Sequence, residues 1–320
     1  MMSFRKSTLE NIIIDNNTLH KIMEIQNIEL EHKYIKQYFP CPYRIMEELM
    51  IIQSFRRGPQ VLDRLWPNNH IAPIISFYFN NKLVTSGEIL GYRNSLKFIR
   101  EHYKSLELCP DTILKIHRIL NDYFNAPNQK KGCWRTVDNT IAGHQRENKL
   151  DIVWYCVPPT HIEEYIVNLC SCYNDYSMKG NMEELILIAA FIFDFMHIHP
   201  FIDGNGRMAR LLLRLLLYKN GFENTKHLNF DSYIYKTRYN YVKALISSHK
   251  GWYQGKHDLG TWLSYFLDLL LNLYKSFDKN IEMLKNHTEK TDEIISKLDD
   301  VIKYLEKNDT FLKLISISGE

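Results

Sequence analysis

The stretch LILIAAFIFDFMHIHPFIDGNGRMARLLLRLLLYKNGF, Leu185 to Phe222, decides how the rest of the chain is read. Its opening run is apolar nearly all round, which predicts a helix buried on every side rather than one lying on a surface. The run is cut by Asp194 and falls far short of a membrane span. Its second half, ARLLLRLLLYKNGF, predicts another helix, closed by Gly221 in the left-handed position that follows a helix end. Between the two apolar halves lies the polar segment HIHPFIDGNGRMAR, His197 to Arg210.

Working outward, most of the chain shows helical periodicity, and glycine and proline are scarce at 13 and 10, so the fold should be mainly α. Upstream, helices are predicted over about Thr8–Gln37 and Arg44–Ser54. Pro73–His102 reads as helix with a short interruption near TSGE. A further helix begins at Pro110, with Asp111 as its candidate N-cap. The one β region is Gly132–Pro159, whose β-branched and aromatic ends around a polar turn predict a hairpin. Helices follow over Thr160–Tyr176 and Met182–His197. Beyond the quoted stretch they cover Ile234–His249 and Gly260–Phe277. The tail from Lys279 to Lys307 carries charges of both signs with Ile and Leu three to four apart. It reads as an exposed amphipathic helix offering a face to a second copy or another partner.

Bulk properties narrow the function classes. With 320 residues, 45% hydrophobic and 24% charged, the chain has the make-up of a globular protein with a sizeable core. A net charge of +3 gives no argument for nucleic acid or an anionic membrane. The six cysteines contain no CxxC pair, and the N-terminus lacks the apolar stretch of a signal peptide, so a cytoplasmic location with reduced thiols is expected.

Taken singly, the pieces of the polar segment fit any loop between two helices. Their ordered combination points to chemistry. Gly204 and Gly206 around Asn205 let a backbone approach a ligand and aim successive N–H groups at it. The N-terminus of the following helix adds unsatisfied N–H groups and partial positive charge, the makings of an anion site. Arg207, Arg210 and Arg214 are spaced to share a helical face, and the first two can fork onto successive phosphates. Asp203 suits Mg²⁺ held through one carboxylate, waters and phosphate oxygens. His199 stands beside the turn and could accept a proton from an incoming hydroxyl. His197 with His199 would lack a third ligand as a metal pair.

The run HPFIDGNGRMAR, His199 to Arg210, resembles the Fic family signature HxFx[DE]GNGRxxR, with every specified position matched. GCWRTVDNTIAG and WYCVPP are similar to the β-hairpin flap that precedes the family's central helices, and the resemblance spans roughly Ile71 to Phe277. It implies a Fic-type helical core with a small flap, while the N- and C-terminal helical extensions, the first sixty or so residues and the tail after about Asn280, carry no family signal. The expected divisions are 1–70, 71–130, 131–277 and 278–320. It also implies an enzyme that transfers AMP from ATP to a Ser, Thr or Tyr hydroxyl of a target protein. On that resemblance His199 is the base, Asp203 holds Mg²⁺, and Gly204, Asn205 and Gly206 form the anion hole. Arg207 and Arg210 meet the β- and γ-phosphates, Phe201 anchors the loop, and the flap takes a target segment as an added strand. Kinases of the same fold carry Ala and Lys where this chain has Gly204 and Gly206.

Many members of the family block themselves through a helix bearing [ST]xxxE[GN], whose glutamate pairs with the second motif arginine. No strict match occurs here. Glu88 is the preferred inhibitory residue, although it follows Thr85 by three positions instead of four. Ser316 with Glu320 and Thr160 with Glu164 have the four-residue spacing in less suitable surroundings. Two alternatives stay open. Because the motif touches phosphates and not the base, UMP or phosphocholine would serve as transferred group equally well. A regulatory or DNA-binding module is the non-enzymatic reading, against which the tail from Lys279 is short, nearly charge-balanced and without an evident helix-turn-helix pair.

Overall fold

In the computed structural model, residues 14–38, 86–122, 131–144, 150–180 and 182–285 are described, with short pieces at 9, 12, 43–44, 295–296, 298–300 and 302–303. In chain order the helices are α1 (Asn16–Tyr38), α2 (Ser86–His102) and α3 (Pro110–Leu120), followed by the strands β1 (Thr140–His144) and β2 (Leu150–Tyr155). Then come α4 (Ile162–Lys179), α5 (Glu184–Ile198), α6 (Asn205–Lys219), α7 (Phe230–Lys236), α8 (Arg238–His249) and α9 (Gly260–Lys285). The chain is mainly helical with one small antiparallel hairpin.

Helix α5 is the axis of the core. Every residue from Leu185 to Ile198 is buried, including Asp194, whose carboxylate accepts a 2.7 Å hydrogen bond from the Trp252 indole. A buried carboxylate without such a donor would be costly, and this bond is how an acid survives on an otherwise apolar helix. On neighbouring faces lie α4, α6 and α9. The long α9 shows the spacing that buries one stripe: Leu263, Leu267, Leu270, Tyr274, Phe277 and Ile281 are all buried. Side chains of this size stabilise by about 1.5–3 kcal/mol each when fully buried, which explains why such a stripe specifies its partner.

Helix α6 ends as its sequence predicts. Gly221 has φ +85, its N–H donates to Tyr218 O, and Phe222 N–H donates to Leu217 O, the paired bonds of a Schellman motif. Gly91 matters for a different reason. A Cβ there would stand 1.9 Å from the Leu120 carbonyl oxygen, so α2 and α3 cross where only glycine fits. That crossing brings α2 up to the start of α6.

Four expectations need correction. Asp111 is not the N-cap of α3; Cys109 holds that place and Pro110 occupies the first helical turn, where its missing N–H costs nothing. The helix expected over Ile234–His249 starts earlier and is broken. Asn229 caps α7 by accepting from Ser232 N–H, and Thr237 separates α7 from α8 with its hydroxyl turned back to Tyr233 O. Helix α9 runs on to Lys285. Among the described residues of the tail, Ile281, Ile295 and Leu298 are buried in the chain's own core instead of forming an exposed stripe. The helix expected after the interruption near TSGE is α2, and the one expected before it, over residues 73–85, lies outside the described residues.

Helix α1 docks on α9 through Ile22 and Ile25 and through polar contacts. The buried Glu29 accepts from Asn224 N–H and side-chain amide at 3.0 Å and from Tyr274 OH at 2.5 Å. No described helix is long and apolar enough to cross a membrane.

Candidate active site

The polar segment forms the turn between α5 and α6, and the two buried helices fix where it lies. His199 closes α5 in the left-handed region, φ 51, with its N–H on Phe195 O. Gly204, φ 84, precedes α6, so the first N–H groups of α6 point away from the core without intrahelical partners. His199, Ile202, Asp203, Gly204, Asn205, Gly206, Arg207 and Arg210 line an open cleft of about 300 Å³, at the lower end for small-molecule sites.

The protonation of His199 follows from its neighbours. Its Nδ1 lies 3.2 Å from Met196 O, and a carbonyl can only accept, so Nδ1 carries the proton and Nε2 the lone pair. Burial, reinforced by Arg135, pushes its pKa down to about 4. The ring is therefore neutral at physiological pH, the form a base requires. His117 is likewise pushed to about 4, chiefly by burial, and His197 well down for the same reason. Each resists charging in the folded state, so their stabilising effect is present above the ordinary imidazole range and is lost as pH falls through it towards the lowered values.

The loop is tied from several sides. Phe201 is fully buried, its ring stacked on His117 at 3.6 Å and 5° and tilted against Trp134 at 5.2 Å. The side chain of Asn205 does not face an anion. Its Oδ1 accepts from Phe201 N–H at 3.0 Å and its Nδ2 donates to Phe201 O at 2.7 Å, so only its main chain can serve the anion hole. Gly132 N–H donates to His117 Nδ1, which leaves His117 Nε2–H to reach Asp203 O at 3.2 Å.

Among the candidate ligand-binding side chains, Arg207 bonds back to Asp203 at 2.9 Å, and the Asp203 side chain is 75% exposed. Arg210 reaches Asp231 Oδ1 through Nε at 2.5 Å and Gly206 O through Nη1 at 2.9 Å. Arg214, predicted on the same face, is buried and lines no part of the cleft. Asp231 is held below the usual carboxylate range: burial would raise it, but Arg210 and then Arg214 outweigh that. Among the described residues no three His, Cys, Asp or Glu side chains gather as a metal cage. A lone exposed carboxylate beside an anion turn has the donor chemistry of a site for a hard cation that takes its other ligands from water and phosphate.

Sequence reasoning missed Arg135, His117 and Asp231. Arg135 is buried and donates to His199 O at 2.8 Å, Val137 O at 2.7 Å, Ile198 O at 3.4 Å and also to Val157 O. It thus joins both ends of the hairpin to the loop. All of the Arg135 contacts go to main-chain carbonyls, so none is a side-chain pair at a fixed spacing.

The hairpin itself pairs Thr140 with Tyr155 and Ile141 with Trp154, then slips by one residue so that Ala142 faces Ile152. Trp154 is buried, and its ring lies 4.7 Å from His197 and 4.9 Å from His249, themselves 5.0 Å apart, so the three rings cluster and pin the hairpin base to α5 and α8. Among the described residues β1 and β2 pair only with each other, so each has an outer edge.

A family model described as Fic/DOC family matches residues 107–217. A Fido domain-containing protein of Dictyostelium discoideum is 30% identical over 125 residues, covering 39% of this chain and 82% of that protein. The chain belongs to the Fic/DOC family. The Fic/DOC match begins before α3 and ends within α6, so it takes in the hairpin and the whole turn. A relative named protein adenylyltransferase Fic, from Nematostella vectensis, is 30% identical over 145 residues, 44% of this chain and 30% of that protein. This chain thus spans under a third of that relative's length. In fold it is similar to Fic-1 from C. elegans, with TM-score 0.53, 20% identity, and coverage of 84% of this chain and 73% of that one. A Fic domain containing signaling protein from Bacteroides thetaiotaomicron gives TM-score 0.55 at 16% identity, over 83% of this chain and 98% of that one.

Proposed function

We propose that this Fic/DOC chain is a protein adenylyltransferase that moves AMP from ATP to a hydroxyl side chain of a target protein. The observation that carries this reading is the neutral His199 ring with a free Nε2 lone pair beside a cleft of arginines and helix N–H groups. The hydroxyl oxygen attacks the α-phosphorus as its proton passes to His199 Nε2. The bond from the α-phosphorus to the bridging oxygen breaks, and pyrophosphate leaves with that electron pair. Arg207, Arg210 and the N-terminal N–H groups of α6 oppose the charge on the phosphates. Asp203 would hold Mg²⁺ there, which supplies further neutralisation, and this needs Asp203 to exchange Arg207 for the cation. The outer edge of the hairpin receives the target backbone as an added strand. A cytoplasmic location is part of this reading.

Label placement tests it. Incubated with Mg²⁺ and a target extract, the chain should leave α-phosphate label of ATP on protein and release γ-label with pyrophosphate. Label from the γ-phosphate on protein would mean kinase chemistry instead. The same assay with UTP and CDP-choline separates adenylyl transfer from transfer of UMP or phosphocholine.

Glu88 fits the inhibitory role by its place on α2. It precedes Tyr92 by one helical turn, and the Tyr92 ring lies 6.0 Å from Arg210 Cζ. The Glu88 side chain itself lies outside the described residues. A carboxylate arriving on the cleft side of Arg210 would exclude the γ-phosphate. Glu88→Gly should therefore raise self-modification about tenfold or more, and Arg210→Ala added to it should remove the gain. Equal labelling of wild type and Glu88→Gly at saturating Mg-ATP would acquit Glu88.

A further inference from the structure

Arg210 is gripped by a carboxylate that belongs neither to the motif nor to the α2 segment carrying Glu88. Asp231 stands in the first turn of α7, which Asn229 caps. One of its oxygens takes Arg210 Nε at 2.5 Å. The other accepts from Tyr92 OH at 3.0 Å and from Arg214 Nη2 at 3.3 Å. Arg214 is fixed: it is 1% exposed, lies 4.9 Å over the Phe230 ring and donates to Leu228 O. It cannot turn towards the cleft, so it pins the carboxylate from behind.

The side from which Asp231 approaches Arg210 decides its role. A carboxylate inside the cleft would compete with phosphate. Arg210 lines the cleft and Asp231 does not. The carboxylate takes Nε and Gly206 O takes Nη1, which leaves the Nη2 donors and one Nη1 hydrogen outside these bonds, on a residue that lines the cleft. A planar fork fixed at two donors keeps one orientation, which is what bidentate phosphate recognition needs.

We propose that Asp231 is a positioning residue which, braced by Arg214 and Tyr92, aims Arg210 at the terminal phosphates of a nucleoside triphosphate. This rests on the nucleotidyl-transfer reading above and assigns triphosphate selectivity to a residue outside the motif. It also makes a prediction opposite in sign to charge counting. Removing an acid from a cationic site should tighten anion binding if only net charge matters. If the acid aims the arginine, removing it weakens binding of the triphosphate and leaves the monophosphate alone.

The test measures equilibrium binding of Mg-ATP and of AMP to the full chain and three variants. Asp231→Asn should weaken ATP binding about tenfold or more, the usual scale for a charge-assisted hydrogen bond, with AMP affinity unchanged. Because Asp231→Asn leaves Arg214 buried without a carboxylate, that variant alone could fail to fold. The double variant Asp231→Asn/Arg214→Met removes the stranded cation and should regain thermal stability without regaining ATP affinity. Recovery of ATP affinity together with stability, or unchanged or tighter ATP binding in either variant, would overturn the proposal. Arg210→Ala separates the two levels. If it weakens ATP binding while the Asp231 variants do not, only the role of Asp231 falls. If Arg210→Ala binds ATP like wild type, the phosphate reading of the cleft falls and the role of Asp231 falls with it.

Discussion

His199→Ala should reduce transfer to protein by about 10²–10⁴-fold, the range for loss of a general base, while Mg-ATP still binds. The ring contributes a lone pair at Nε2 and no contact to the phosphate-binding groups. Its own Nδ1 is committed to Met196 O. Alanine tolerates the left-handed φ of 51 less well than histidine, so a small loss of stability of about 1 kcal/mol is expected alongside. Binding isotherms for ATP and initial rates of α-label transfer distinguish the two effects. Substantial transfer by the variant would remove His199 from the base role. The pH profile provides a second check on the same group. With its pKa near 4, the imidazole is unprotonated through the ordinary histidine range, so kcat/KM for nucleotide should hold as pH falls past neutrality. It should decline only on approach to the lowered value, where protonation takes the lone pair. A decline centred at the ordinary imidazole value of about 6.5 would mean that His199 is far more solvated than its burial implies.

Arg135→Ala should cost about 3–5 kcal/mol of folding stability, because a hub that satisfies several buried carbonyls leaves all of them without a donor. The carbonyls of Val137 and Val157 belong to the hairpin ends, and those of Ile198 and His199 to the loop. Lysine places one charge on the same stem but cannot span both sides, so Arg135→Lys should recover less than half of the loss. Denaturant titration reads this directly as a shift in midpoint. A change under about 1 kcal/mol for Arg135→Ala would mean that water replaces the guanidinium at little cost.

The motif was legible because its backbone demands particular residues. Gly204 sits at φ 84, where residues with a Cβ are strained, and a helix as apolar on every face as α5, Asp194 apart, reads as a buried one. Arg135, His117 and Asp231 left no such mark. Arg135 acts on carbonyls, which every residue has, and Asp231 meets Arg210 across the connection from α6 to α7, a contact that its neighbours NFDSYIYK do not announce. Helix α1 was readable as a helix but not as part of the core. Its contacts include Glu29 and His32, buried polar residues that blur the apolar stripe. The tail was misjudged for the converse reason: mixed charge suggested exposure, while Ile281 continued the stripe of α9 inward.

The two hydrogen bonds between the Asn205 side-chain amide and the Phe201 main chain make the turn a closed ring before any ligand arrives. With Phe201 wedged against His117, the segment from His199 to Gly206 has already surrendered its conformational freedom during folding. An arriving phosphate therefore meets donors standing in place and loses little affinity to ordering them. Association of nucleotide should be governed by diffusion and charge rather than by the closing of a loop, and the backbone of the turn should be nearly superimposable with and without its guest.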